Sequence, residues 1–252
     1  MPACAGMTWA ATAGHIPPAA PLPYVGAMRA DDQPPPFRLF AREGVAIAAR
    51  FYRAFGRLGE HGPPDGEPLL VVPGFLATDR TTLGLQRALG KEGYRVAGWG
   101  LGLNKGARAD ILDRLVERVE RHGHGRPVTL VGWSLGGLFA RETAKARPDI
   151  VRRVVTLGSP FSGDLRANNV WRLYEWVSGH PVDRPPLDLD LESKPPVPTL
   201  AIWSRRDGIV APACARGCAG QSDRQIELDC SHMGFAVSKR AYPQIAAALR
   251  DF

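Results

Sequence analysis

The chain has 252 residues, 44% of them hydrophobic and 23% charged, a size and balance suited to one α/β domain with a substantial core. Its formal charge of +7 comes from 32 basic residues, only five of them lysines (Lys91, Lys105, Lys145, Lys194 and Lys239). The arginines are scattered among acids, which argues against the clustered stripe of a nucleic-acid binder, and no run reaches the roughly 18 to 20 apolar residues that span a bilayer.

Residues 1–36 are rich in Ala and Pro and end in Pro34-Pro35-Pro36. Such a composition buries too little surface to offset its ordering entropy and reads as a flexible leader. Pro17, Pro18, Pro21 and Pro23 interrupt any signal-peptide apolar region, and no basic stretch precedes it. Cytoplasmic residence is therefore the expectation. The domain itself is expected over 37–252. It opens with Phe40, Ile47, Phe51 and Phe55 at helical spacing, an amphipathic helix from Phe37 to Phe55, followed by a loop from Gly59 to Pro68.

From there strand and helix signals alternate, the pattern of a mostly parallel central sheet with helices on both faces. Strands are predicted at Leu69 to Val72, Arg95 to Trp99, Val128 to Trp133, Val151 to Leu157, Thr199 to Trp203 and Gln225 to Leu228. Helices are predicted at Thr81 to Lys91, Ala107 to Arg121, Leu135 to Ala146 and Ala241 to Phe252. The stretch 161–198 breaks the alternation. It carries Trp171, Tyr174, Trp176 and Val177 and then a proline-rich run, and a connection this long reads as a lid-like insertion.

Gly132-Trp133-Ser134-Leu135-Gly136 fits G-x-S-x-G, the nucleophile elbow that exposes a serine on a sharp strand-to-helix turn. Its context agrees: a β-branched run precedes it and a small-residue helix follows. A serine hydroxyl needs a base held by a third group. In this architecture the chain order is serine, acid, histidine. Of six histidines, His232 alone follows the last predicted strand, in a late loop before the final helix. Asp207 lies in the turn just after the Thr199 strand, where open α/β sheets build their sites. Two backbone donors must meet the developing oxyanion. One is the amide of Leu135, the other that of Phe75, which Val71-Val72-Pro73-Gly74 presents from a tight turn after a strand. Trp133, Trp171, Tyr174 and Trp176 are candidate substrate contacts, although the last three could equally pack a lid onto the core.

With these residues in place, the chain resembles the α/β-hydrolase superfamily, and within it bacterial serine esterases and lipases. The resemblance covers about 68–252 and rests on Val72-Pro73-Gly74-Phe75, the elbow followed by Gly137, Leu157-Gly158-Ser159-Pro160-Phe161, Asp207-Gly208-Ile209-Val210 and Ser231-His232-Met233. It implies Ser134, Asp207 and His232 as triad and Phe75 with Leu135 as oxyanion donors. Pro73 and Trp133 replace histidines common at those places. A helix leading straight to the Leu69 strand leaves no room for the early antiparallel strands, so a compact variant of the fold is expected.

The implied activity is hydrolysis of a small-molecule carboxylic ester through an acyl-enzyme. Its rivals are another acyl-transfer or C–C hydrolase with the same triad, and a non-catalytic hydrolase-like binding module. No cofactor or metal is expected. Cys214 and Cys218 lack a second Cys/His pair at zinc spacing, and they read with Cys4 and Cys230 as free thiols.

Overall fold

A computed structural model describes residues 33–44 and 58–252, apart from Asp188 and Glu192. Most of the expected leader, and the part of the first helix beyond 44, lie outside the described residues; 37–44 is helical.

Six strands form one sheet: β1 (Glu67–Val72), β2 (Tyr94–Gly98), β3 (Val128–Trp133), β4 (Val151–Leu157), β5 (Thr199–Trp203) and β6 (Arg224–Glu227). Their order is β2-β1-β3-β4-β5-β6, and every pairing is parallel. The helices that link and flank them are α1 (Asp79–Lys91), α2 (Ile111–Gly123), α3 (Leu135–Ala146), α4 (Trp171–Ser178), α5 (Pro212–Arg216), α6 (His232–Val237) and α7 (Ala241–Arg250). This is the alternating arrangement expected from the sequence, with the sheet covered on both sides.

The apolar continuity of the strands explains that coverage. Parallel strands buried on both faces need hydrophobic residues at consecutive positions. In β1, Leu69 and Val71 join one core with residues of α1, α6 and α7. Leu70 and Val72 point the other way, into a second core with residues of α2 and α3. The edge strand β6 carries Arg224, Gln225 and Glu227 exposed, a polar edge that discourages pairing with another chain.

Some boundaries differ from the sequence reading. The second helix starts at Ile111 rather than Ala107, and the Ala107 amide donates to the Tyr174 hydroxyl at 3.1 Å. Strand β6 ends at Glu227 and the final helix at Arg250. Three short helices, α4, α5 and α6, stand where loops or an insertion were read. His232 thus opens a helix, whose N-terminal Ser231 accepts from Gly234 N at 3.2 Å.

The long connection is tied to the body on two sides. Asn168 forms an antiparallel bridge with Val210, and Asn169 Nδ2 donates to the carbonyls of Pro35 and Gly208. From α3, the buried Arg141 donates to Leu191 O, Ser193 O and Gln221 O while stacking 4.2 Å over the Phe161 ring. No helix among the described residues is long and apolar enough to cross a membrane.

Candidate active site

The turn from β3 to α3 is as sharp as the motif requires. Ser134 sits between them at φ 54°, ψ −126°, a conformation that costs a non-glycine residue roughly 1–3 kcal/mol. Ser134 N donates to Leu157 O at 2.9 Å, and Ser134 O accepts from Gly137 N at 2.9 Å, so packing holds the strained residue. The motif glycines answer to close approach. A Cβ on Gly132 would stand 2.4 Å from Gly137 Cα, and one on Gly136 would stand 2.3 Å from Val72 O. Neither backbone neighbour can yield without moving strand or helix.

Asp207 and His232 come together from loops after β5 and β6. His232 Nδ1 and Asp207 Oδ2 are 2.7 Å apart, and both side chains are buried. Asp207 Oδ1 accepts from Ile209 N and Val210 N at 2.8 Å each, which fixes the carboxylate and leaves its second oxygen for the imidazole. Burial alone would push the His232 imidazole down. The Asp207 carboxylate, and more weakly Glu43, overcome that and hold it above its ordinary value of 6.5.

Trp133, next to the serine, positions the same histidine. Its Nε1 donates to His232 O at 3.1 Å, and the two rings lie 5.6 Å apart. Trp133 is 3% exposed and is absent from the pocket wall; it packs behind the site rather than against substrate. No hydrogen bond joins Ser134 Oγ to the imidazole in this structure. Contacts of this kind are commonly long without substrate and tighten in the complex.

The two residues expected to supply oxyanion amides belong to one pocket. Phe75 and Leu135 line the pocket beside Ser134, and among the described residues neither backbone N–H donates to a protein acceptor. Leu135 is the first residue of α3, where amides lack intrahelical partners. The Phe75 loop is held by Asn104, which is buried: Asn104 Nδ2 donates to Pro73 O at 2.8 Å and Asn104 O accepts from Leu76 N at 2.7 Å.

The pocket beside Ser134 is small, with a cavity volume of about 70 Å³, and partly open to solvent. Its walls are mostly apolar, from Leu138 and Pro160 on the body to Val170, Trp171 and Tyr174 on the insertion, with no charged side chain among the described residues. Trp171 and Tyr174 therefore stand where substrate contacts were expected. Trp176 does not: it is 82% exposed. Helical geometry gives the reason, since residues 171 and 174 share a face of α4 and residue 176 falls about 200° round from 174.

Glu43 was not foreseen. This fully buried carboxylate accepts from His232 N at 2.7 Å and from Met233 N at 3.0 Å. A sequence signal existed. Glu43 follows Phe40 by three residues and precedes Ile47 by four, so it interrupts an otherwise apolar helix face. No cluster of three or more His, Cys, Asp or Glu among the described residues is placed to hold a metal ion. Among the described residues no disulfide joins Cys214, Cys218 and Cys230.

Comparison with known proteins agrees with this architecture. A family model described as alpha/beta hydrolase fold matches residues 67–183, which span β1 to α4. The chain has the alpha/beta hydrolase fold. Among solved structures it is similar to a bacterial membrane phospholipase A at 18% identity, with 85% of this chain and 92% of that one covered and a TM-score of 0.57. It is also similar to a lipase-esterase related protein from Clostridium acetobutylicum at 16% identity, covering 77% and 98% with a TM-score of 0.56. A 60-residue stretch is 35% identical to the biotin biosynthesis bifunctional protein BioHC of Teredinibacter turnerae; it spans 24% of this chain and 10% of that protein.

Proposed function

We propose that the protein is a serine hydrolase that cleaves carboxylic esters through an acyl-enzyme. The observation that carries this reading is the buried Asp207–His232 pair, bonded at 2.7 Å, in a chain whose Ser134 is held at φ 54° on a strand-to-helix elbow. In this reading His232 Nε2 takes the Ser134 proton as Oγ attacks the carbonyl carbon. Asp207 keeps the other ring proton on Nδ1, so Nε2 is free to accept. The amides of Phe75 and Leu135 hold the oxyanion; removing one such donor typically lowers kcat by about 10² to 10³. His232 then protonates the leaving alcohol, and water activated by the same ring releases the acid.

The pocket supports an uncharged, apolar acyl group, since most of its described lining is apolar. We assign the insertion 161–198 the part of roof to that pocket. Phospholipase and lipase-esterase relatives fit the class without naming the substrate. The test is covalent labelling with a fluorophosphonate probe. The wild type should be labelled, and Ser134→Ala should take up no probe and hydrolyse no p-nitrophenyl ester while keeping its melting temperature. Labelling that survives the substitution overturns the assignment of the nucleophile.

A further inference from the structure

Glu43 touches both loops that bring acid and base together. Oε1 accepts from His232 N at 2.7 Å and from Gly208 N at 3.2 Å, while Oε2 accepts from Met233 N at 3.0 Å. One oxygen thus bridges the residue after Asp207 and the backbone of His232 itself. The segment carrying it packs directly on that loop: a Cβ on Gly208 would stand 2.5 Å from Leu39 O, and Phe40 packs against the cluster holding Ile209 and Val210. Asn169 Nδ2, which donates to both Pro35 O and Gly208 O, pins the same junction from the insertion side.

The electrostatic setting is one-sided. Both Glu43 oxygens accept, the pattern of the carboxylate form, and among the described residues no Lys or Arg pairs with it. Burying an uncompensated charge is costly unless it is hydrogen-bonded, and three amide donors meet that need. The groups facing the imidazole are Asp207 at Nδ1, Glu43 on the backbone side and the uncharged Trp133 ring. From the loop ahead of α6, the Cys230 thiol is pushed up to about 12, by burial first and then by Asp207, Glu43 and Asp229, so it stays neutral. Asp229 is exposed and paired with Arg206 at 2.8 Å. Among the described residues, the two carboxylates Asp207 and Glu43 are therefore the charges that act on His232.

We propose that Glu43 is a positioning residue for the hydrolytic reaction. It locks the Gly208 and His232 backbones so that Asp207 and the imidazole meet, and its charge supports the imidazolium formed when Ser134 gives up its proton. The inference rests on the serine-hydrolase reading above.

The test compares wild type, Glu43→Gln and Glu43→Asp in the full chain, with rates expressed per active site counted by fluorophosphonate titration. In Glu43→Gln the amide oxygen can keep His232 N and Gly208 N, but the NH₂ group meets Met233 N–H and the charge is gone. We expect kcat to fall about tenfold with KM little changed, in line with losing hydrogen bonds made to a charged group. The acid limb of the kcat/KM profile should move down by about 0.5 to 1 pH unit, because one of two nearby anions no longer favours the imidazolium. Glu43→Asp keeps the charge on a shorter arm, so its kcat should fall while the limb stays at the wild-type position. A Glu43→Gln protein with wild-type rate per site and an unmoved limb overturns the inference, whether or not its titre or melting temperature drops. If wild type itself takes up no probe, the serine reading fails and this inference falls with it.

Discussion

Replacing Asp207 with Asn is the sharpest test of the acid–base pair, because the side chains are isosteric and the structure dictates how the amide must sit. Asp207 Oδ1 accepts from Ile209 N and Val210 N, and Oδ2 meets His232 Nδ1. If Asn turned its NH₂ toward the two backbone donors, both buried N–H groups would lose their acceptor at about 1–3 kcal/mol each. The oxygen therefore stays with the amides, and the NH₂ faces Nδ1. A donor there forces the imidazole to carry its proton on Nε2, the nitrogen that has to receive the serine proton. A wrong tautomer of this kind lowers kcat by about 10⁴, equivalent to about 5.5 kcal/mol of transition-state stabilisation. Steady-state hydrolysis of a p-nitrophenyl ester gives the rate, and calorimetry shows that the fold is kept. An Asp207→Asn protein within tenfold of wild type in kcat, with an unchanged melting temperature, refutes the assignment of Asp207 as orienting acid. Asp207→Ala is the poorer experiment, since it strands both amides and mixes folding with chemistry.

Two further expectations follow from the same geometry. His232 is held above 6.5, and its task needs the neutral ring, so protonation should begin to suppress kcat/KM at a higher pH than for a free imidazole. An acid limb with its midpoint below 6.5 contradicts the Asp207 and Glu43 electrostatics. The two tryptophans of α4 should separate cleanly. Trp171→Ala opens the apolar pocket and should raise KM for a p-nitrophenyl octanoate about tenfold or more relative to the acetate, as expected for losing part of an aromatic contact surface. Trp176→Ala, at 82% exposure, should leave both esters unaffected. Equal responses from the two variants would remove the pocket assignment.

What could be read from the amino-acid order follows physical range. The β3 strand and the elbow were legible because their signals are local: a β-branched run, then glycines whose Cβ positions are occupied by backbone. The Asp207 turn was legible for the same reason, following a strand whose five residues are all buried. Helix α6 was not, because six residues beginning at His232 are too few to display a helical period. Helix α4 was hidden by the prolines around it; of its aromatic residues, Trp171 and Tyr174 line the pocket and Trp176 is exposed. Glu43 meets partners 189 and 190 residues away, and no local pattern reports such a contact. Its one trace was a charged residue on a hydrophobic helix stripe.

That long reach has a consequence for how the protein comes into being. During synthesis, domains tend to fold from the N-terminal end onward. Here a carboxylate made early has to await the loop around residue 232, 189 residues further along the chain. The sheet from β1 to β5 can pair well before then, yet the carboxylate cannot reach its seat. Nascent chains stalled short of residue 233 should therefore be compact but inert, and competence should arrive only once residues 232 and 233 have emerged.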